Sequence, residues 1–169
     1  MADHGIVRLD KIASSYNGNF ISAQSSSDID NGNVIVTDGL LSGSTEIFVA
    51  ATPTSITTET VLLVASPEIQ GALYTPDKML KDFYNEANRP LRAYYLTKGD
   101  IFTVTSDAYS GTAAEGSYLI PQSGSYQLIV SATTSSAVFA AKIIDVISMG
   151  YTGSGWAKKT AAVCEVVSS

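Results

Sequence analysis

The sequence predicts a mainly β fold, an antiparallel β barrel or sandwich of about nine to ten short strands with one inserted helix at about residues 76–88. Three observations predict it. β-Branched and aromatic runs of roughly 4–8 residues recur along the chain, separated by breaks rich in Gly, Asn, Asp, Ser and Pro. Charged residues make up only 15% of the 169 positions, against about 25% in an average globular protein. Their place is taken by 22 Ser and 16 Thr, which suit strands and turns better than helices.

Residues 1–15 hold a short alternating piece, Ile6-Val7-Arg8-Leu9, which reads as an edge strand or as an arm ordered by a partner. Residues 16–169 read as the β-rich domain, with a candidate sub-boundary near 66–76 where composition changes. Asp28-Ile-Asp-Asn-Gly-Asn33 is a turn signal, because Asn-Gly accepts the positive φ of a tight turn. Val34–Thr37 and Glu46–Ala50 are strands. Thr60-Val-Leu-Leu-Val-Ala65 is a third, and its unbroken apolar run predicts burial on both faces.

The helix rests on Met79, Leu80, Phe83, Tyr84 and Ala87, which fall on one stripe opposite Asp77, Lys78, Lys81, Asp82 and Glu86. Pro76 suits its first turn, and Asn88-Arg89-Pro90 ends it. Strands follow at 91–96, 101–105, 117–120 and 126–131. Val138–Ile147 is long enough for a helix, but its two Val and three Ile predict a long, bent strand. Thr160–Val167 is the last strand, and it is expected to pair antiparallel with 138–147 across the glycine-rich loop 150–155.

Function is constrained mostly by exclusion. Lys and Arg total 10 against 16 acids, too few basic groups to displace phosphate counterions, so no nucleic-acid partner is expected. No apolar run reaches about 18 residues, and the N-terminus lacks the charged and apolar regions of a signal peptide, so no membrane partner is expected. The single His4 and single Cys164 exclude an intramolecular disulfide and argue against multi-histidine metal sites and a Ser-His-Asp triad. No catalytic residue, cofactor or metal ligand is assigned, and the chain is expected not to be an enzyme. Gly153-Ser154-Gly155 reads as a loop rather than a nucleophile elbow. Asp28 and Asp30, beside Asn31 and Asn33, offer oxygens to a cation, yet the spacing fits a turn better. Cys164 reads as a core thiol, and His4 as a solvated terminal residue. The nine Tyr suit core packing and contact surfaces.

Charge is unevenly placed. From Ile12 to Asp77 there is no Lys or Arg, and seven acids. Residues 1–75 carry two basic and eight acidic residues, giving −6, while residues 76–169 carry eight of each. Two readings fit: a solvated surface that maintains solubility, or an acidic outward face on a protein docked against a larger surface.

Three stretches carry a resemblance. They are Asp3-His-Gly-Ile-Val-Arg-Leu-Asp-Lys-Ile12, the Asp30-Asn31-Gly32 turn entering a Val-rich strand, and Asp82-Phe-Tyr-Asn-Glu-Ala-Asn-Arg-Pro-Leu-Arg-Ala-Tyr94 running into Lys98-Gly-Asp-Ile-Phe-Thr-Val104. Together they resemble small head decoration (cement) proteins encoded beside the major capsid gene in tailed phages and prophages of Gram-positive bacteria. The resemblance covers most of the chain. It implies a β-rich virion structural protein that decorates and stabilises the capsid on its outer surface, made in the bacterial host cytoplasm. Its partners would be the major capsid protein and neighbouring copies of itself. Ile6, Val7, Arg8, Leu9 and Ile12 are the candidate contact residues, since they are apolar for the most part but weakly framed. The alternatives are a tail or head-fibre component contacting the host, and a carbohydrate- or peptide-binding β module.

Overall fold

Five consecutive residues, Val61 to Ala65, are buried on both faces as their sequence predicts. The computed structural model, which describes residues 3–68, 80–150 and 158–169, gives the reason. Leu62–Val64 forms the strand β5 in the wall of a closed five-stranded barrel. Leu62 and Val64 point into one apolar cluster, while Val61, Leu63 and Ala65 point into another. A strand with water on neither side needs no polar positions.

Element order follows the chain. β1 is Val7–Lys11, α1 is the four-residue turn Ser14–Asn17, and β2 is Phe20–Gln24. β3 is Val34–Leu40 and β4 is Ile47–Ala51. After β5 come β6 (Pro90–Tyr95), β7 (Ile101–Thr105) and the two-residue β8 (Tyr109–Ser110). β9 is Tyr118–Ile120 and β10 is Leu128–Ser131. Two ten-residue strands, β11 (Ala140–Met149) and β12 (Lys159–Ser168), finish the fold.

The barrel closes in the order β2-β4-β3-β5-β6, with β2 and β4 parallel and the other pairs antiparallel. Its interior holds Ala23, Ile35, Ala50, Leu62, Val64, Leu91 and Ala93. The remaining strands form one sheet, β1-β7-β12-β11-β9-β10-β8. The inner face of that sheet, with Val7, Phe102, Val104, Leu119, Ile143, Ala162 and Cys164, packs on the outside of the barrel at Val34, Leu63 and Tyr94. Two sheets therefore share one core.

The long strand at 140–149 is present and bent: its register against β12 shifts between Ile143 and Asp145. The two pair antiparallel, as expected. Two strands escape the sequence pattern. β2 shows only Ile21 and Ala23 to the barrel, and β8 is two residues paired parallel to β10.

The helix expected over 76–88 is a correction for its described part; residues 76–79 lie outside the described residues. Leu80–Asp82 makes one 3-10 turn. Asn85 then exchanges two backbone hydrogen bonds with Ile29, at 2.8 and 2.9 Å. A short isolated helix is marginal, and this bridge to a distant loop replaces it. The α-helical turn lies instead at Ser14–Asn17, ended by Gly18 at φ 73°.

Because Leu63 belongs to the core shared by both sheets, Leu63→Ala is expected to cost about 2–5 kcal/mol. Urea unfolding of the variant should remain a single transition, coincident by circular dichroism and Tyr fluorescence. Two separate transitions would mean that the sheets unfold independently.

Candidate functional site

The Asp28–Asn33 loop joins four segments distant in sequence. Gly32 sits at φ 90°, and a Cβ there would lie 2.5 Å from Val104 Cγ2. Only glycine lets the loop come this close to β7. Its amide donates to Val64 O at 2.8 Å. The Asn31 side chain accepts from the Ser66 amide and donates to the Ser66 carbonyl, each at 3.0 Å, and accepts from Asn85 Nδ2. Asn85 Nδ2 also donates to Ile29 O. Asn33 Nδ2 donates to Ala108 O, and its Oδ1 accepts from the Asp30 amide. Asn31, Asn33 and Asn85 are all buried, so each must find partners inside the protein.

The acids of the loop are engaged too. Asp28 accepts from the Ala87 amide at 2.8 Å. Asp30 accepts from the Gly5 amide, and its other oxygen meets His4 Nδ1 at 2.7 Å. Among the described residues no group of three or more His, Cys, Asp or Glu could hold a metal ion. The turn reading of these oxygens is what the geometry displays. His4 departs from expectation: it is pinned by Asp30, stacks on Tyr84 at 4.7 Å, and donates its amide to Lys81 O.

One residue earlier, Asp3 bridges Lys81 at 3.0 Å and Lys159 at 2.8 Å. Lys159 also meets Asp107 at 2.8 Å, and Lys81 meets Asp82 at 3.1 Å. Hydrogen bonds from Lys159 and then Lys81 hold the Asp3 carboxyl down at about 2. Burial pulls the Lys159 ammonium down, but the bonds to Asp107 and Asp3 outweigh it and leave it raised. The N-terminus is thus latched to the segment at 81–85 and to the start of β12.

The five candidate contact residues divide. Ile6, Val7 and Ile12 are buried in this chain's own core, so they are not free to touch a partner. Leu9 is half-buried against the same core. Arg8 alone is exposed, where it pairs with Asp10 and donates to Thr103 Oγ1. Weak sequence framing concealed the burial: the partners of these side chains come from strands about a hundred residues away. Cys164 is a core thiol as expected, and burial pushes it up to about 12. Tyr109 is buried with a hydroxyl that has no partner among the described residues. The 150–155 loop lies outside the described residues beyond Gly150.

No protein-family model matches the chain, and the comparisons with curated proteins and with solved structures return no match.

Two expectations follow. Asn31→Ala strips partners from both backbone groups of Ser66 and from Asn85, and should cost about 2–4 kcal/mol in chemical denaturation. Asp3 is held below its ordinary value, so its contribution is complete above about pH 4 and fades as pH falls toward 2. In acid titration, wild type and Asp3→Asn should therefore differ in stability at pH 5 and converge near pH 2.

Proposed function

We propose that this chain is a virion structural protein that decorates and stabilises the capsid of a tailed phage, bound to the outer surface of the major capsid lattice. One observation carries the reading. The three stretches that resemble decoration proteins, far apart in sequence, meet at one place. Asp3, His4 and Gly5 of the first bond Asp30 of the second and Lys81 beside the third. Asn31 of the second bonds Asn85 of the third. Residues that look like a loose compositional likeness are the joints of this fold, which supports the idea that the resemblance reflects shared architecture.

The physical character of the chain fits such a role. A decorating protein works by contact and must resist unfolding. Here the terminal strand is built into the core, and a buried polar network ties five segments together.

A test must keep the chain whole, because Ile6, Val7 and Ile12 belong to the core. The informative experiment adds the intact protein to tailed-phage capsids that lack it. Saturable binding at stoichiometric copy number, with a higher temperature of capsid disruption, is the expected result. Absence of binding to the capsid encoded beside its own gene would overturn the reading.

A further inference from the structure

One end of the large sheet is a four-stranded segment with two open sides. Residue pairing runs level across it: Arg8 opposite Thr103, Thr103 opposite Val163, Val163 opposite Asp145. The next level is Val7, Val104, Ala162 and Val146. β1 lies at the end of the sheet order, paired with β7 alone. β11 is covered on its far side by β9 only as far as Ile143, which bonds Ser117 O and Gly116 N. From Ile144 to Met149 that side pairs with no strand among the described residues. Ile144 and Val146 are exposed, at 37% and 36%.

The two open edges differ in chemistry. β1 exposes Arg8, Asp10 and Lys11, a net positive edge even with Asp10 paired to Arg8. β11 carries Asp145, whose carboxylate accepts a hydrogen bond from the amide of Val146 at 2.8 Å. A side chain that occupies its own strand's edge donor keeps that edge closed until something better arrives.

We propose that the β11 edge at Ile144–Ile147 receives the β1 edge of a second copy of this chain, in a head-to-tail pairing that makes one continuous sheet. Strand directions permit it. Each neighbouring pair in β1-β7-β12-β11 is antiparallel, so β11 of one copy and β1 of the next also run antiparallel. Side-chain faces restrict the register, because Arg8 and Asp145 share one face of the sheet and Val7 and Val146 the other. Three registers keep the faces matched near the centre. One sets Asp145 against Asp10, which repels. One sets Asp145 against the apolar Ile6. The third sets Asp145 against Arg8, which pairs opposite charges, and brings the backbone of Val146 level with that of Val7, whose side chain stays in its own core. The Asp145 carboxylate then leaves the Val146 amide and shares the neighbour's guanidinium with that copy's Asp10, and the amide is free to join the new ladder. Contact of this kind is heterologous, so it closes into a ring or grows as a row. It stands on the geometry of the edges and does not require the capsid reading.

Sedimentation velocity on the full chain, over a range of concentrations at low salt, tests it. Wild type should associate, and Arg8→Glu and Asp145→Arg should each weaken association by roughly tenfold or more. Mixing the two variants should restore it. At one contact the introduced glutamate of the first variant faces the introduced arginine of the second, and at the next contact the native Arg8 and Asp145 meet. Circular dichroism should show both variants folded, as both side chains are exposed. A wild-type chain that stays monomeric at high concentration would overturn the proposal, and so would association that neither reversal weakens or that mixing fails to restore.

Discussion

Everything in this fold leans on a requirement that buried polar groups be paired. The Asp28–Asn33 loop brings three buried asparagines and the backbone of Gly32 into the middle of the molecule. Such groups cost roughly 1–3 kcal/mol each when left without partners. Their partners are supplied by the N-terminus, by Val64 and Ser66 after β5, by Asn85 and Ala87, and by Ala108 after β7. Satisfying one loop thus fixes the relative position of four remote segments. It also explains why a helix does not run through Asn85. That residue's backbone and side chain are both committed to Ile29 and Asn31, and a helix would withdraw the backbone from the bridge.

The second constraint is the barrel wall, where β3, β5 and β6 work on two faces at once. Ile35, Leu62, Val64, Leu91 and Ala93 fill the barrel, while Val34, Leu63 and Tyr94 face the outer sheet. This is how a chain of modest length gains a sizeable apolar interior with few charges. The outer sheet in turn needs the barrel, since its inner face of Phe102, Val104 and Leu119 would otherwise meet water. β1 belongs to the same arrangement: Val7 lies in the shared cluster, and Thr105 receives the Ile6 amide on its hydroxyl at 2.9 Å.

What could be read from the sequence were the features set by local pattern. Val61–Ala65, Ile101–Thr105 and the bent strand around Ile143 declare themselves through β-branched runs, and Asn31-Gly32 through its turn chemistry. What could not be read depends on partners distant in sequence. β2 has Ser22 and Gln24 among its five residues, and it is a strand because β4 and β6 flank it. Apolar spacing around Phe83 mimics a helix, yet Phe83 is simply buried and Tyr84 stacks on His4. The contact residues suffered most. Ile6, Val7 and Ile12 look unframed in sequence because β7 and the shared core, their actual frame, come much later in the chain. Of the candidate list, the charge on Arg8 was the part that reached the surface.

Hydrogen bonding shows how the first half of the chain carries its excess of acids without cations. Acids in the first half of the chain have few cations near them because several serve backbone amides instead. Asp28 holds Ala87, Asp30 holds Gly5, and Glu59 accepts from the Ser55 amide and from the hydroxyl and amide of Thr54, which lowers its carboxyl. A carboxylate that accepts main-chain donors is stabilised as an anion without any Lys or Arg. In the second half Asp100 does the same for the amides of Ala13 and Thr97, while other acids meet cations. Asp107 is held by Lys159, Asp82 by Lys81 and Glu86 by Arg89, and the same two lysines also reach back to Asp3 in the first half. Asp145 also accepts a main-chain donor, but one that belongs to the next residue in its own strand. It sits exposed on an open strand edge, and among the described residues its carboxylate is bonded to the amide beside it, a local bond that it can exchange for a partner's cation without disturbing the core.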